Sequence, residues 1–169
     1  MLALYILRHA KAERDGASDQ ERALRRRGRR AAATIGRFLT RIGEEPELVL
    51  SSGAVRARET AELAHEAGGW RAPLEIRPGI YGAGAESLIA LVSEVEDSIE
   101  RLLVVGHQPA LSLLIADLCG GSEPAFPTAA LARVDLECER WSTLRAGAGT
   151  LQWLITPELI EPGRDPEPD

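Results

Sequence analysis

Leu4-Tyr5-Ile6-Leu7-Arg8-His9-Ala10 decides the reading of this chain, and a second stretch far downstream repeats its plan: Leu102-Leu103-Val104-Val105-Gly106-His107-Gln108-Pro109. Each is a short run of strand-forming apolar residues that stops at a histidine. Strands that are apolar at consecutive positions fit a parallel sheet covered on both faces. In open α/β sheets, ligands bind beyond the carboxyl ends of the strands. Both histidines therefore belong on that rim, and two distant segments can build one site.

The segments between these strands supply the rest of the fold. Residues 11–20 are polar and contain Gly16, which predicts a loop. Over residues 21–42 the small and apolar positions Leu24, Gly28, Ala31, Ile35, Phe38, Leu39 and Ile42 recur at intervals of three and four, a helix stripe. Leu48-Val49-Leu50 predicts a second strand, residues 54–67 a second helix and Leu74-Glu75-Ile76 a third short strand. Residues 78–84 are irregular, rich in Gly and Pro. Helices are expected over residues 86–95 and 110–118, and strands over 130–136 and 150–155. Strands alternating with helices predict an α/β fold, a three-layer α/β/α sandwich around a mainly parallel sheet. From Pro157 onward, prolines at 157, 162, 166 and 168 alternate with acids. Residues 1–156 are thus expected to form a single domain and residues 157–169 a mobile, Pro-rich acidic tail.

Composition narrows the function. The chain has 169 residues, is 44% hydrophobic and carries a formal charge of −6. That balance fits a soluble globular protein and argues against nucleic-acid binding, which needs an excess of Lys and Arg. No apolar run is long enough for a membrane span. Met1-Leu2 leads directly into a strand without a basic leader, so a cytoplasmic location is expected. Cys119 and Cys138 lack metal-ligand spacing and are expected to behave as small apolar residues. No Asp/His ligand cluster is visible, so the reading needs no metal and no cofactor. A monomer is the default expectation.

Four residues carry the chemistry: Arg8, His9, Arg56 and His107. Arg56 lies in Ser51-Ser52-Gly53-Ala54-Val55-Arg56-Ala57-Arg58-Glu59-Thr60, a third strand exit that runs into a helix. A helix N-terminus offers unpaired amides and the positive end of a dipole. An Arg in its first turn adds a permanently charged fork suited to phosphate oxygens. Singly, each residue has an ordinary structural explanation. His65, within a helix, and the basic run Arg25-Arg26-Arg27-Gly28-Arg29-Arg30, an outward helix face, are read that way. Together on three strand exits, two Arg and two His make a pocket for a phosphoryl dianion.

These motifs bring a resemblance. Leu7-Arg8-His9-Ala10 resembles the Arg-His-Gly signature of the histidine phosphatase superfamily, whose fold is phosphoglycerate-mutase-like. Gly106-His107-Gln108-Pro109 resembles its second-histidine motif, and Ser51-Ser52…Arg56-Ala57…Thr60 its Ser-Pro…Arg-Ala…Thr motif. Arg22-Ala23-Leu24…Gly28 is similar to the segment that opens its first helix. The likeness runs over most of the chain and is strongest to the short bacterial branch, the SixA-type phosphohistidine phosphatases. It implies His9 as nucleophile, Arg8, Arg56 and His107 as holders of the phosphoryl oxygens, and Arg22 as an accessory phosphate contact. Ala10 stands where the family has Gly, and Gly53 where it has Pro.

A nucleophilic histidine must be neutral. Nearby Arg8 and Arg56 favour that form by like-charge repulsion, and a carbonyl or acidic partner on the other ring nitrogen must fix the tautomer. The leaving group then sets the substrate class. An alkoxide needs a general acid, and the resemblance places a carboxylate after the third strand. Residues 77–84 hold no Asp or Glu; Glu86 and, in the loop after His9, Asp19 are the candidates. A phosphorylated imidazole leaves more easily, and a chain this short has little room for a lid. Both features favour a phosphorylated protein as substrate, such as a histidine phosphotransfer domain. The competing expectations are a general small-molecule phosphomonoesterase and a phosphate-binding module without turnover.

Overall fold

The computed structural model describes residues 1–162 as six strands and five helices. In chain order they are β1 (Leu2–Arg8), α1 (Arg26–Arg41), β2 (Leu48–Ser51), α2 (Val55–Gly68), β3 (Leu74–Ile76), α3 (Ala85–Ser93), β4 (Arg101–Gly106), α4 (Ala110–Cys119), β5 (Leu131–Leu136), β6 (Gly149–Ile155) and α5 (Pro157–Ile160). One sheet runs β3-β2-β4-β1-β5-β6. The first four strands in that order are parallel; β5 pairs antiparallel with both β1 and β6. The expected mainly parallel sheet between helical layers is what forms.

The period of two along β1 explains its apolar run. Leu2, Leu4 and Ile6 enter one core with Leu88 and Val92 of α3 and Leu111, Leu114 and Leu118 of α4. Ala3, Tyr5 and Leu7 enter the other with Ile35 and Leu39 of α1 and Ala57, Ala61 and Ala64 of α2. β4 divides likewise, with Leu102 and Val104 on one side and Leu103 and Val105 on the other. Only the end residues Arg8 and Arg101 of these two strands carry a charge.

This layering locates the site. β1 and β4 are neighbours, yet the helix after β1 packs on one face and the helix after β4 on the other. Adjacent parallel strands whose connections diverge leave a crevice at their carboxyl ends, the switch point of an open α/β sheet. α1 is drawn tightly against its surroundings. A Cβ on Gly28 would stand 2.2 Å from the Lys11 carbonyl oxygen, and one on Gly36 2.0 Å from that of Ala64 in α2. Both contacts are closer than any side chain tolerates.

Two expectations are corrected. The first helix starts at Arg26, not near residue 21. Asp19–Glu21 forms a separate 3₁₀ turn, and Leu24 is extended because it bridges to Ala12. Tertiary pairing with the strand exit outweighs the helical period there. Composition predicts a mobile tail from Pro157, but its first residues form α5. Ile160 packs against the core that holds Phe38 and Trp153, and Glu161 pairs with Arg37 at 3.5 Å. Residues 163–169 of that expectation lie outside the described residues. Arg26, Arg27, Arg29 and Arg30 are exposed, as expected for an outward face. Cys119 and Cys138 are free thiols packed against the core. Among the described residues, no helix is long and apolar enough to cross a membrane.

Candidate active site

Backbone pairing brings the two histidines together. Arg8 is the register partner of Gly106 across β1 and β4, and the His9 N–H donates to the Gly106 carbonyl at 3.1 Å. His9 and His107 therefore leave the sheet side by side, with ring centroids 5.3 Å apart and planes tilted by 50°. The exit of β2 joins them. The Ser52 N–H donates to the Val105 carbonyl at 3.1 Å, and the Ser52 hydroxyl lies 2.8 Å from His107 Nε2. Arg56 follows in the first turn of α2, with only 6% of its surface exposed.

His9 Nδ1 lies 2.8 Å from the Ala10 carbonyl oxygen. A carbonyl only accepts, so Nδ1 carries the proton and Nε2 keeps its lone pair. The tautomer-fixing partner is thus the backbone of the next residue. The Ala10 N–H donates to Thr60 Oγ1 at 2.9 Å, and the Thr60 hydroxyl donates to the Arg56 carbonyl at 2.6 Å. Thr60 so links the exit of β1 to the turn that carries Arg56. Ala10 has no positive φ, which is why a residue with a Cβ serves in place of glycine.

The second histidine is held by the exit of β2. Ser52 Oγ accepts from the Ala54 N–H at 3.2 Å and also lies 2.8 Å from His107 Nε2. His107 Nδ1 is buried and has no partner. Arg8 Nε, Arg22 Nε and Arg56 Nε are also buried without partners. Arg8 Nη1 donates to the Phe126 carbonyl at 3.0 Å, which anchors its fork.

Asp19 joins the site in an unexpected way. Its carboxylate accepts from Arg56 Nη2 at 3.1 Å and from the Tyr81 hydroxyl at 2.8 Å, and pairs with Arg22 Nη2 at 3.1 Å. Its carbonyl accepts from Arg56 Nη1 at 2.7 Å. The Tyr81 hydrogen bond, then Arg56, hold its carboxyl below the usual range. Asp19 is an ion at neutral pH and has no proton to give. Tyr81 also stands edge-on to His107, centroids 5.6 Å apart. Glu86 stays outside: it is exposed in the first turn of α3 and bonds to none of these residues. His65 Nε2 donates to the Ala72 carbonyl at 2.8 Å, beyond the far end of α2, which fits its structural reading.

Burial sets the protonation state. It pushes His9 down to about 3 and His107 down to about 4, with the charges of Arg56 and Arg8 acting in the same direction. Both rings are neutral in the folded protein at pH 7. Unfolded histidines take up protons below about pH 6.5, while the folded ones do not until near pH 4 and 3. Their contribution to stability is complete above about pH 6.5 and is lost as the pH falls towards 3. Melting temperature should drop across that window, and His9→Asn should drop less steeply. Equal slopes for the two proteins would contradict a buried neutral His9.

Residues 4–81 match the model of the histidine phosphatase superfamily, branch 1. Phosphohistidine phosphatase SixA of Escherichia coli K12 is 30% identical over 159 residues, which cover 92% of this chain and 94% of that one. This chain belongs to the histidine phosphatase superfamily. An uncharacterized protein of Mycobacterium tuberculosis is 35% identical over 156 residues, covering 86% of this chain and 96% of its own. The solved structure of the protein histidine phosphatase SixA complexed with tungstate superposes with a TM-score of 0.79 at 30% identity, covering 95% of this chain and all of that one.

Within this superfamily fold, the structure brings Arg8, His9, Arg56 and His107 together and sets Arg22 beside them through Asp19. Sequence reasoning missed Tyr81, which stands in a Gly-rich irregular stretch with nothing to mark it. It also missed the carbonyls of Ala10 and Phe126, which have no side-chain signature.

Proposed function

We propose that this chain is a phosphohistidine phosphatase that works through a phosphohistidine on His9. The observation that carries the reading is the His9 tautomer: a buried, neutral ring with Nδ1 held by the Ala10 carbonyl and Nε2 free beside His107 and Arg56. Nε2 attacks phosphorus, the substrate's P–N bond breaks, and the departing imidazole keeps the electron pair and takes a proton from solvent water. Arg8, Arg56 and His107 hold the equatorial oxygens, so catalysis is mainly positioning and charge stabilisation. Water then attacks the phosphohistidine, releasing phosphate and restoring neutral His9. Arg22 supports the anion from the rim.

The substrate class follows from what surrounds the leaving group. An ester would need a protonated acid there. Asp19 is ionised and clamped, and Glu86 stands outside the site. A phosphorylated imidazole has much less need of one. The similarity to SixA, whose solved structure holds the tetrahedral anion tungstate, supports the same reading. The partner is accordingly a phosphorylated protein, of the kind represented by a histidine phosphotransfer domain.

The test is a side-by-side assay on a phosphohistidine protein and on sugar phosphates and other small phosphomonoesters. The phosphohistidine protein should give the larger kcat/KM. A preference for sugar phosphates would replace this reading with that of a general phosphomonoesterase.

A further inference from the structure

We propose that the Asp19 carboxylate is the pocket's own competing anion, placed to keep free phosphate weakly bound. The inference rests on the pocket being a phosphoryl site. Asp19 lies at the tip of a loop over residues 13–23. The base of this loop is fastened by the Ala12–Leu24 bridge and by the Glu13 N–H donating to the Ala23 carbonyl at 2.8 Å. At the tip, both terminal nitrogens of Arg56 are taken up by Asp19, Nη1 by its carbonyl at 2.7 Å and Nη2 by its carboxylate at 3.1 Å. Arg22 Nη2 and the Tyr81 hydroxyl complete the carboxylate's contacts at 3.1 and 2.8 Å. Phosphoryl oxygens need these same donors.

The two partners are unequally fixed. The Arg56 side chain is 7% exposed, whereas that of Asp19 is 53% exposed. A buried guanidinium without a counter-charge is costly, and Asp19 supplies that charge. An arriving dianion meets a like charge on its own ligands. It must turn the carboxylate out towards solvent or share the guanidinium with it, and either route weakens binding. A phosphoryl group on a protein carries further contacts that offset this cost. The inorganic phosphate left after hydrolysis carries none. The arrangement therefore favours product release and keeps cellular phosphate out.

Isothermal titration with inorganic phosphate tests this on the full chain, using wild type, Asp19→Asn, Asp19→Ser and Arg56→Met. Asp19→Ser shortens the side chain so that a misplaced amide cannot decide the result. Both Asp19 variants should bind phosphate about tenfold more tightly than wild type, the order expected for one nearby charge at a protein surface. Arg56→Met should bind it least. Unchanged affinity in both Asp19 variants, as for a residue that only donates a proton, would overturn the inference. So would weaker binding, as for a residue that only props up Arg56. If no protein in the set binds phosphate, the phosphoryl-site reading fails, and the inference with it.

Discussion

Replacing His9 with Asn is expected to lower phosphohistidine hydrolysis by at least ~10⁴-fold, the scale seen when a covalent nucleophile is removed. Asn has no free ring nitrogen to attack phosphorus, yet it fills a similar volume. Its amide can still donate to the Ala10 carbonyl, the contact that His9 Nδ1 makes at 2.8 Å. The fold and the anion pocket should survive, so the variant should bind phosphate without turning substrate over. Wild type incubated with a ³²P-labelled phosphohistidine protein should retain acid-labile, base-stable label, and the variant none. A His9→Asn protein that hydrolyses substrate at the normal rate would remove His9 from the chemistry.

Changing Arg56 to Met should reduce kcat/KM by about 10²–10³-fold, the usual effect of deleting one donor that stabilises a developing oxyanion. Met keeps the length and apolar stem of the side chain and discards the fork. Because the guanidinium is buried, an apolar replacement of similar volume is expected to change stability little. Activity and melting temperature should therefore separate. Arg56→Lys should recover only part of the loss, since an ammonium cannot present two parallel donors. A loss under about tenfold, well short of a deleted oxyanion donor, would mean that Arg56 serves the Asp19 loop alone.

The elements that sequence made legible are those whose pattern is local. β1 and β4 are apolar along their length because both faces are covered, and each ends at a histidine whose neighbours mark a turn. Arg56 was legible because Ser51-Ser52 closes a strand and a helix starts within a few residues. What sequence could not show depends on long-range pairing. Leu24 satisfies the helical period, but its bridge to Ala12 makes it extended. The loop after His9 reads as polar surface, and only the fold reveals that its Asp19 reaches Arg56, thirty-seven positions away. Tyr81 has no pattern at all; it matters because the turn at residues 78–80 sets its ring against His107. The start of the tail reads as mobile by composition, yet Ile160 packs against the core and Glu161 pairs with Arg37.

The shared ladder of β1 and β4 has a consequence for how such a site can diversify. His9 and His107 are spaced by main-chain hydrogen bonds in the centre of the sheet, which do not depend on the identity of the surrounding side chains. Asp19 and Tyr81, by contrast, sit on the turn after β1 and the turn before α3. Mutational drift can rework those two turns while the spacing of the two histidines stays as the strands dictate.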